Sequence, residues 1–100
     1  MLATLIVPQA TLATNASIHE NVRDWLCDQF GGFTAHDATG GWKAPGGAVI
    51  VEPVTCYDVA CEDTAEIRER LRTMARRVKA DLGQECVYLA FNPSVQVEFI

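Results

Sequence analysis

Residues 64–83 read TAEIRERLRTMARRVKADLG, and the apolar positions in this stretch decide how the rest of the chain must fold. Ile67, Leu71, Met74, Ala75, Val78 and Leu82 recur at spacings of three and four, which places them on one side of an α-helix. Most of the intervening residues are charged. Asp63-x-x-Glu66 resembles a capping box at its start, and Gly83 suits the left-handed residue that closes a helix. A helix with one apolar stripe needs a second apolar surface to bury it.

The flanking sequence supplies that surface as strands. Upstream, Ala48–Val51 and Val54–Val59 form a long strand, interrupted at Pro53, where a bulge or an edge position is expected because proline has no amide hydrogen. Downstream, Cys86–Phe91 is a strand with Val87, Leu89 and Phe91 on one face, and Asn92-Pro93-Ser94 is a turn. Val95, Val97 and Phe99 alternate with Gln96 and Glu98, which predicts a last, half-buried strand. Towards the N-terminus, Ser17-Ile-His-Glu20 fits a capping box. Ile18, Val22, Trp25, Leu26 and Phe30 continue it as a first amphipathic helix, with Gly31 at its end. Leu2–Val7 is an apolar run stopped by Pro8, consistent with a buried strand, and a polar stretch follows. The order β-α-β-β-α-β is the ferredoxin-like split pattern of an α+β domain. Residues 1–100 are expected to form one such domain, with both helices on one face of an antiparallel sheet and an added C-terminal hairpin strand. The other sheet face must be covered or solvated.

Composition sets wider bounds. The chain has 100 residues, 49% hydrophobic and 21% charged, which is globular rather than disordered. A net charge of −5 argues against sequence-independent DNA binding and makes nucleic acid an unfavoured partner. Cys27, Cys56, Cys61 and Cys86 contain no C-x-x-C pair, and neither His19 nor His36 lies at metal-ligand spacing from them. The expectation is reduced, structural cysteines with no metal and no cofactor. The opening MLATLIVPQATLATNAS lacks a positive n-region, and no run approaches the ~20 apolar residues of a membrane span. A cytoplasmic protein is expected.

The most unusual segment is residues 31–47, which hold six of the seven glycines as three Gly-Gly pairs. Thr34, His36, Asp37, Thr39, Trp42 and Lys43 lie among them. His36 beside Asp37 is a candidate acid–base pair, Trp42 offers a face for a planar ligand, and backbone amides freed by glycine suit an anion. The structural alternative, which is preferred, is a hairpin with sharp turns at Gly40-Gly41 and at Pro45-Gly46, the latter of type II, and with Trp42 packed as core. There is no P-loop and no dinucleotide fingerprint. Six of the eight Lys and Arg residues fall in the second helix, and Arg68, Arg72, Arg76 and Lys79 share one side of it. That stripe suits phosphate, RNA or an acidic protein; the preferred alternative is a solvated face tied by pairs such as Glu66 with Arg70. Glu20, Asp24 and Asp28 line one side of the first helix, by default a solvated face; opposite charge on the two helices also lets two molecules pair, and a homodimer is expected. Nucleophilic catalysis has little support: Ser17 and Ser94 are the only serines, and Asp28 beside Cys27 disfavours a thiolate.

These elements together resemble a family of small bacterial proteins of unknown function. The elements are an aromatic helix with Trp25 and Phe30, then Gly32-Phe-Thr34, Gly40-Gly-Trp42, the segment Gly47 to Glu52, and Gly83-Gln-Glu-Cys-Val87. The resemblance spans most of residues 20–100. Many members look like exported lipoproteins, whereas this chain shows no signal sequence or lipobox. Similar short proteins occur in phage and prophage genomes, which the resemblance makes the better match. The family brings a fold but no activity. The reading that follows is a non-enzymatic interaction or small-ligand-binding module. If phage-encoded, it acts on a host protein or defence system, or sequesters a small anionic ligand. Its expected binding residues are Thr34, His36, Trp42 and Lys43, then Arg72 and Arg76. Two alternatives stand beside it: a small enzyme using His36 and Asp37 in a sheet-face pocket, and a nucleic-acid binder through the second helix.

Overall fold

A computed structural model describes residues 1–9 and 13–100; part of the polar stretch after Pro8 lies outside the described residues. The elements run β1 (Leu2–Pro8), α1 (Ala13–Phe30), β2 (Thr34–Lys43), β3 (Val49–Ala60), α2 (Ala65–Leu82) and β4 (Tyr88–Asn92). The sheet order is β2-β3-β1-β4, every neighbour antiparallel, which is the ferredoxin-like α+β arrangement.

Burial along β1 alternates strictly, with Ala3, Leu5 and Val7 inside. Their partners on the same face are Val59 and Tyr57 of β3 and Phe91 and Leu89 of β4. Val22 and Leu26 of α1 and Leu71, Met74, Ala75 and Val78 of α2 pack onto that face as one core. Each fully buried Leu or Val side chain contributes about 1.5–3 kcal/mol. Both helices therefore cover one side of the sheet, as the stripe at 67–82 requires.

Helix ends differ from the sequence reading in informative ways. α2 is capped by Thr64, whose hydroxyl accepts from the Ile67 amide at 3.1 Å, while Asp63 turns instead to Arg68 at 2.7 Å. Gly83 closes the helix at φ 62°; its amide bonds the Ala80 carbonyl and the Gln84 amide bonds that of Lys79, a Schellman end. α1 begins at Ala13, so Ser17–Glu20 lies inside the helix rather than at its cap.

The glycine-rich hairpin also differs. Gly40-Gly41 is not a turn: β2 runs straight through it to Lys43. A Cβ on Gly40 would lie 3.1 Å from Val54 Cγ1, so close strand packing explains the missing side chain there. The turn is Ala44–Gly47, closed by the Gly47 amide to the Ala44 carbonyl at 2.9 Å. The left-handed residue is Gly47 at φ 91°, not Gly46, so this is a type I turn followed by a glycine bulge rather than type II. Pro53 causes no bulge, because the β2–β3 register is constant from Thr34↔Asp58 to Lys43↔Val49. Its carbonyl accepts from the Gln9 amide, so its nitrogen also faces the side where β1 has ended and no ladder bond is lost.

β1 reaches only Val54, so the hairpin from Thr39 to Pro53 projects past it as an arm and the chain measures 44 Å along its longest axis. Val49 and Val51 on the arm are 70% and 65% exposed. After β4 the chain turns at 93–94, and residues 95–100 make no ladder with the four strands; Val97 and Phe99 lie against a cavity beside Leu2 and Phe30. No helix among the described residues is long and apolar enough to cross a membrane.

Candidate functional site on the open sheet face

Strand alternation and register assign every β side chain to a face. Ala3, Leu5 and Val7 point to the helices, so Thr4, Ile6 and Pro8 point away from them. Asp58, Cys56 and Val54 of β3 lie opposite these and share their face. From β2, Thr34, His36, Ala38, Gly40 and Trp42 join it, and from β4, Tyr88. No helix covers this face.

Three of the expected site residues, Thr34, His36 and Trp42, therefore lie together on the open face. Lys43 belongs to the opposite one. The pairing of His36 with Asp37 is corrected for the same reason: consecutive strand residues point to opposite faces. Asp37 accepts from Gln9 Nε2 at 2.7 Å on the other side, and Gln9 also reaches Thr55 Oγ1. The carboxylate near His36 is Asp58, with Oδ2 at 3.9 Å from His36 Nδ1. Thr4 Oγ1 donates to the other oxygen of Asp58. Beneath them lies Cys56, whose thiol pKa is pushed up by burial and further by the Asp58 charge.

Along the same face, towards the arm, a cavity of about 410 Å³ opens between Trp42 and Tyr88. Its floor is Ile6, Pro8 and Val54, and its rim carries the carboxylates Glu52 and Glu85. It has no Lys or Arg in its lining. Gly40-Gly41 keeps β2 low beside it, and the loop from Gly83 to Val87 forms the far wall. Two elements far apart in sequence, Gly40-Gly-Trp42 and Gly83–Val87, thus meet at one cavity. Trp42 is 40% exposed, so its packing as core is corrected: its register places it on the sheet face opposite the two helices. The volume falls in the range of small-molecule sites.

The basic stripe of α2 is neutralised largely from within. Arg68 pairs with Asp63, Arg70 with Glu66, Arg72 and Arg76 with Glu69, and Arg77 lies 3.9 Å from Asp81. Arg68 and Arg72 also lie over the Phe91 ring, at 4.8 and 5.4 Å. The hydrogen bond from Arg68 holds the Asp63 carboxyl below its usual range, and Arg76, then Arg72, does so for Glu69. Neither Arg72 nor Arg76 lines the open-face cavity. All four cysteines are free, and among the described residues no group of His, Cys, Asp or Glu could hold a metal ion.

Sequence reasoning missed His19, Asp58, Glu52 and Tyr88. His19 was detectable, three residues before Val22 and seven before Leu26 on the same buried stripe. It is 9% exposed, with Nδ1 2.6 Å from Tyr57 Oη and Nε2 2.9 Å from the Pro8 carbonyl. The other three depend on strand pairing, which no local pattern reveals.

No protein-family model and no curated protein sequence matches the chain. Among solved structures, five chains match. One is a phage SAM lyase in complex with S-methyl-5'-thioadenosine: 10% identity, TM-score 0.61, with 95% of this chain and 92% of that chain covered. The likeness is one of fold, extending over nearly the whole of both chains. That neighbour is an enzyme, which overturns the expectation of a non-enzymatic interaction module.

Proposed function

We propose that this chain is a small enzyme whose substrate is an adenosyl sulfonium of the S-adenosylmethionine class, bound on the open sheet face between Trp42 and Tyr88. The observation that carries the reading is the cavity lining: two aromatic side chains, two carboxylates and no basic group. Aromatic faces stack a purine and attract a cation, whereas Glu52 and Glu85 favour positive charge and repel phosphate. The fold likeness to a lyase of that substrate supports the same reading. Conversion of S-adenosylmethionine to S-methyl-5'-thioadenosine breaks the bond from sulfur to the aminocarboxypropyl carbon as the substrate's own carboxylate oxygen bonds to that carbon, closing a homoserine lactone. The bonding pair stays on sulfur, and the sulfonium becomes a neutral thioether. Because positive charge on sulfur disappears along this path, an apolar floor such as Ile6, Pro8 and Val54 favours the transition state over the solvated cation.

The test is direct. The purified chain is incubated with S-adenosylmethionine, and the nucleosides are resolved by liquid chromatography against an S-methyl-5'-thioadenosine standard. Formation of that thioether is expected. Trp42→Ala and Glu52→Gln should each weaken binding of S-adenosylmethionine and raise KM by roughly tenfold, as loss of an aromatic or charged contact to a cation implies, with thermal melting unchanged. Absence of both turnover and calorimetric binding would refute the proposal. The homodimer expected from the sequence belongs to the same proposal: the exposed Val49 and Val51 of the arm offer apolar area for a second copy, and sedimentation checks it.

A further inference from the structure

We propose a second ligand site, beyond the cavity at Trp42: the cavity at the C-terminal end of α1 binds a small organic cation, an alkylated ammonium. This cavity measures about 330 Å³; Phe30, Phe33 and Phe99 are among its lining residues, and Asp58 is its carboxylate. Three independent features favour a cation there. Aromatic faces attract alkylated cations, whose methyl groups also bury well on them. Asp58 has one oxygen engaged by Thr4, while the other lies 3.9 Å from His36 Nδ1, beyond hydrogen-bond distance. The cavity also abuts Phe30, Gly31 and Gly32, where α1 ends, and α1 has no basic residue in its last turn. The partial negative charge of that helix end is therefore uncompensated by its own side chains.

The same features exclude other ligand classes. The lining contains no Lys or Arg to hold an anion. A hydrated metal ion finds one carboxylate among mostly apolar walls, and the described residues form no metal-binding group. The site is separate from the cavity at Trp42. Asp58 and Glu52 lie six positions apart along β3, roughly 20 Å at strand rise.

The experiment compares choline with its neutral carbon isostere, 3,3-dimethyl-1-butanol, in nuclear magnetic resonance titrations of the ¹⁵N-labelled full chain. Choline should bind about tenfold or more tightly than the isostere, with shifts centred on the amides of Gly31, Gly32 and Phe33. Asp58→Asn, which keeps an acceptor for Thr4, should bring the two affinities together. Phe99→Ala, at an exposed position, should weaken choline at least threefold while the remaining amide shifts stay native. Equal affinities in the parent chain, no binding of choline, or shifts centred on Trp42 and Glu85 would overturn the assignment. None of these outcomes depends on turnover of a sulfonium, so the two proposals fail separately.

Discussion

Replacing Tyr57 by Phe removes a single oxygen from the centre of the fold, and the structure sets its cost. Tyr57 is 1% exposed and belongs to the core on the helix side of β3. Its hydroxyl lies 2.6 Å from His19 Nδ1, and Arg23 donates to it at 3.4 Å. His19 Nε2 faces the Pro8 carbonyl, which only accepts, so in the neutral ring Nε2 carries the hydrogen and Nδ1 accepts from Tyr57. In Tyr57→Phe the buried Nδ1 loses its donor, whereas Arg23, only half-buried, turns to water. An unsatisfied buried acceptor costs about 1–3 kcal/mol. Taking about 2 kcal/mol, the melting temperature of a domain this size should fall by roughly 8–16 °C. Urea denaturation followed by far-ultraviolet circular dichroism measures it, with an unchanged m-value as the check that compactness is preserved. Tyr57→Phe combined with His19→Leu should cost less than the two changes added, by about 1 kcal/mol or more, since the double variant leaves neither partner stranded. A single-variant loss below about 0.5 kcal/mol, or strict additivity, would refute the buried hydrogen-bond chain.

Gly40→Ala should destabilise by about 1 kcal/mol, because its Cβ meets Val54 Cγ1 at 3.1 Å and Val54 must shift to relieve the contact. Val54→Ala in the same chain should recover part of that loss, and denaturant melts of the three variants test it. Stability should decline at alkaline pH. Burial raises the pKa values of Cys56, Cys61 and Tyr57, so the native state keeps protons that the unfolded chain releases. The stabilisation is whole below their ordinary values, about 8.5 for Cys and 10 for Tyr, and is lost as pH rises through the higher native values. Melting temperatures from pH 7 to 11 read this, and a flat profile would contradict it. Asp63 and Glu69 act with the opposite sign: their lowered pKa values give support that fades as pH falls through them. The effect should be small and weakened by salt, because both groups are exposed.

The element order, the faces of both helices and the α+β class were legible in local pattern alone. Ile67 through Leu82 could bury only one side, β1 alternated, and Gly83 closed its helix as its freedom from Cβ sterics allows. These are consequences of periods of 3.6 and 2 residues, which every chain carries in its sequence. Turn chemistry was less legible. Gly40-Gly41 and Pro45-Gly46 offer similar residues, and only the tertiary neighbour Val54 shows that the first pair serves close packing and the second a turn. The candidate site was half legible. Trp42, His36 and Thr34 stood out by type, but adjacency in sequence suggested Asp37 as the partner of His36, and pleating sends that carboxylate to the other face. Strand register supplied Asp58 from β3, and the loop before β4 brought Glu85 opposite Trp42. Local sequence thus determined which residues could bury a side chain, because burial follows helical and strand periodicity. Only the tertiary structure decided which polar groups meet, because antiparallel pairing joins residues distant in the chain through register, and register is a property of the whole sheet.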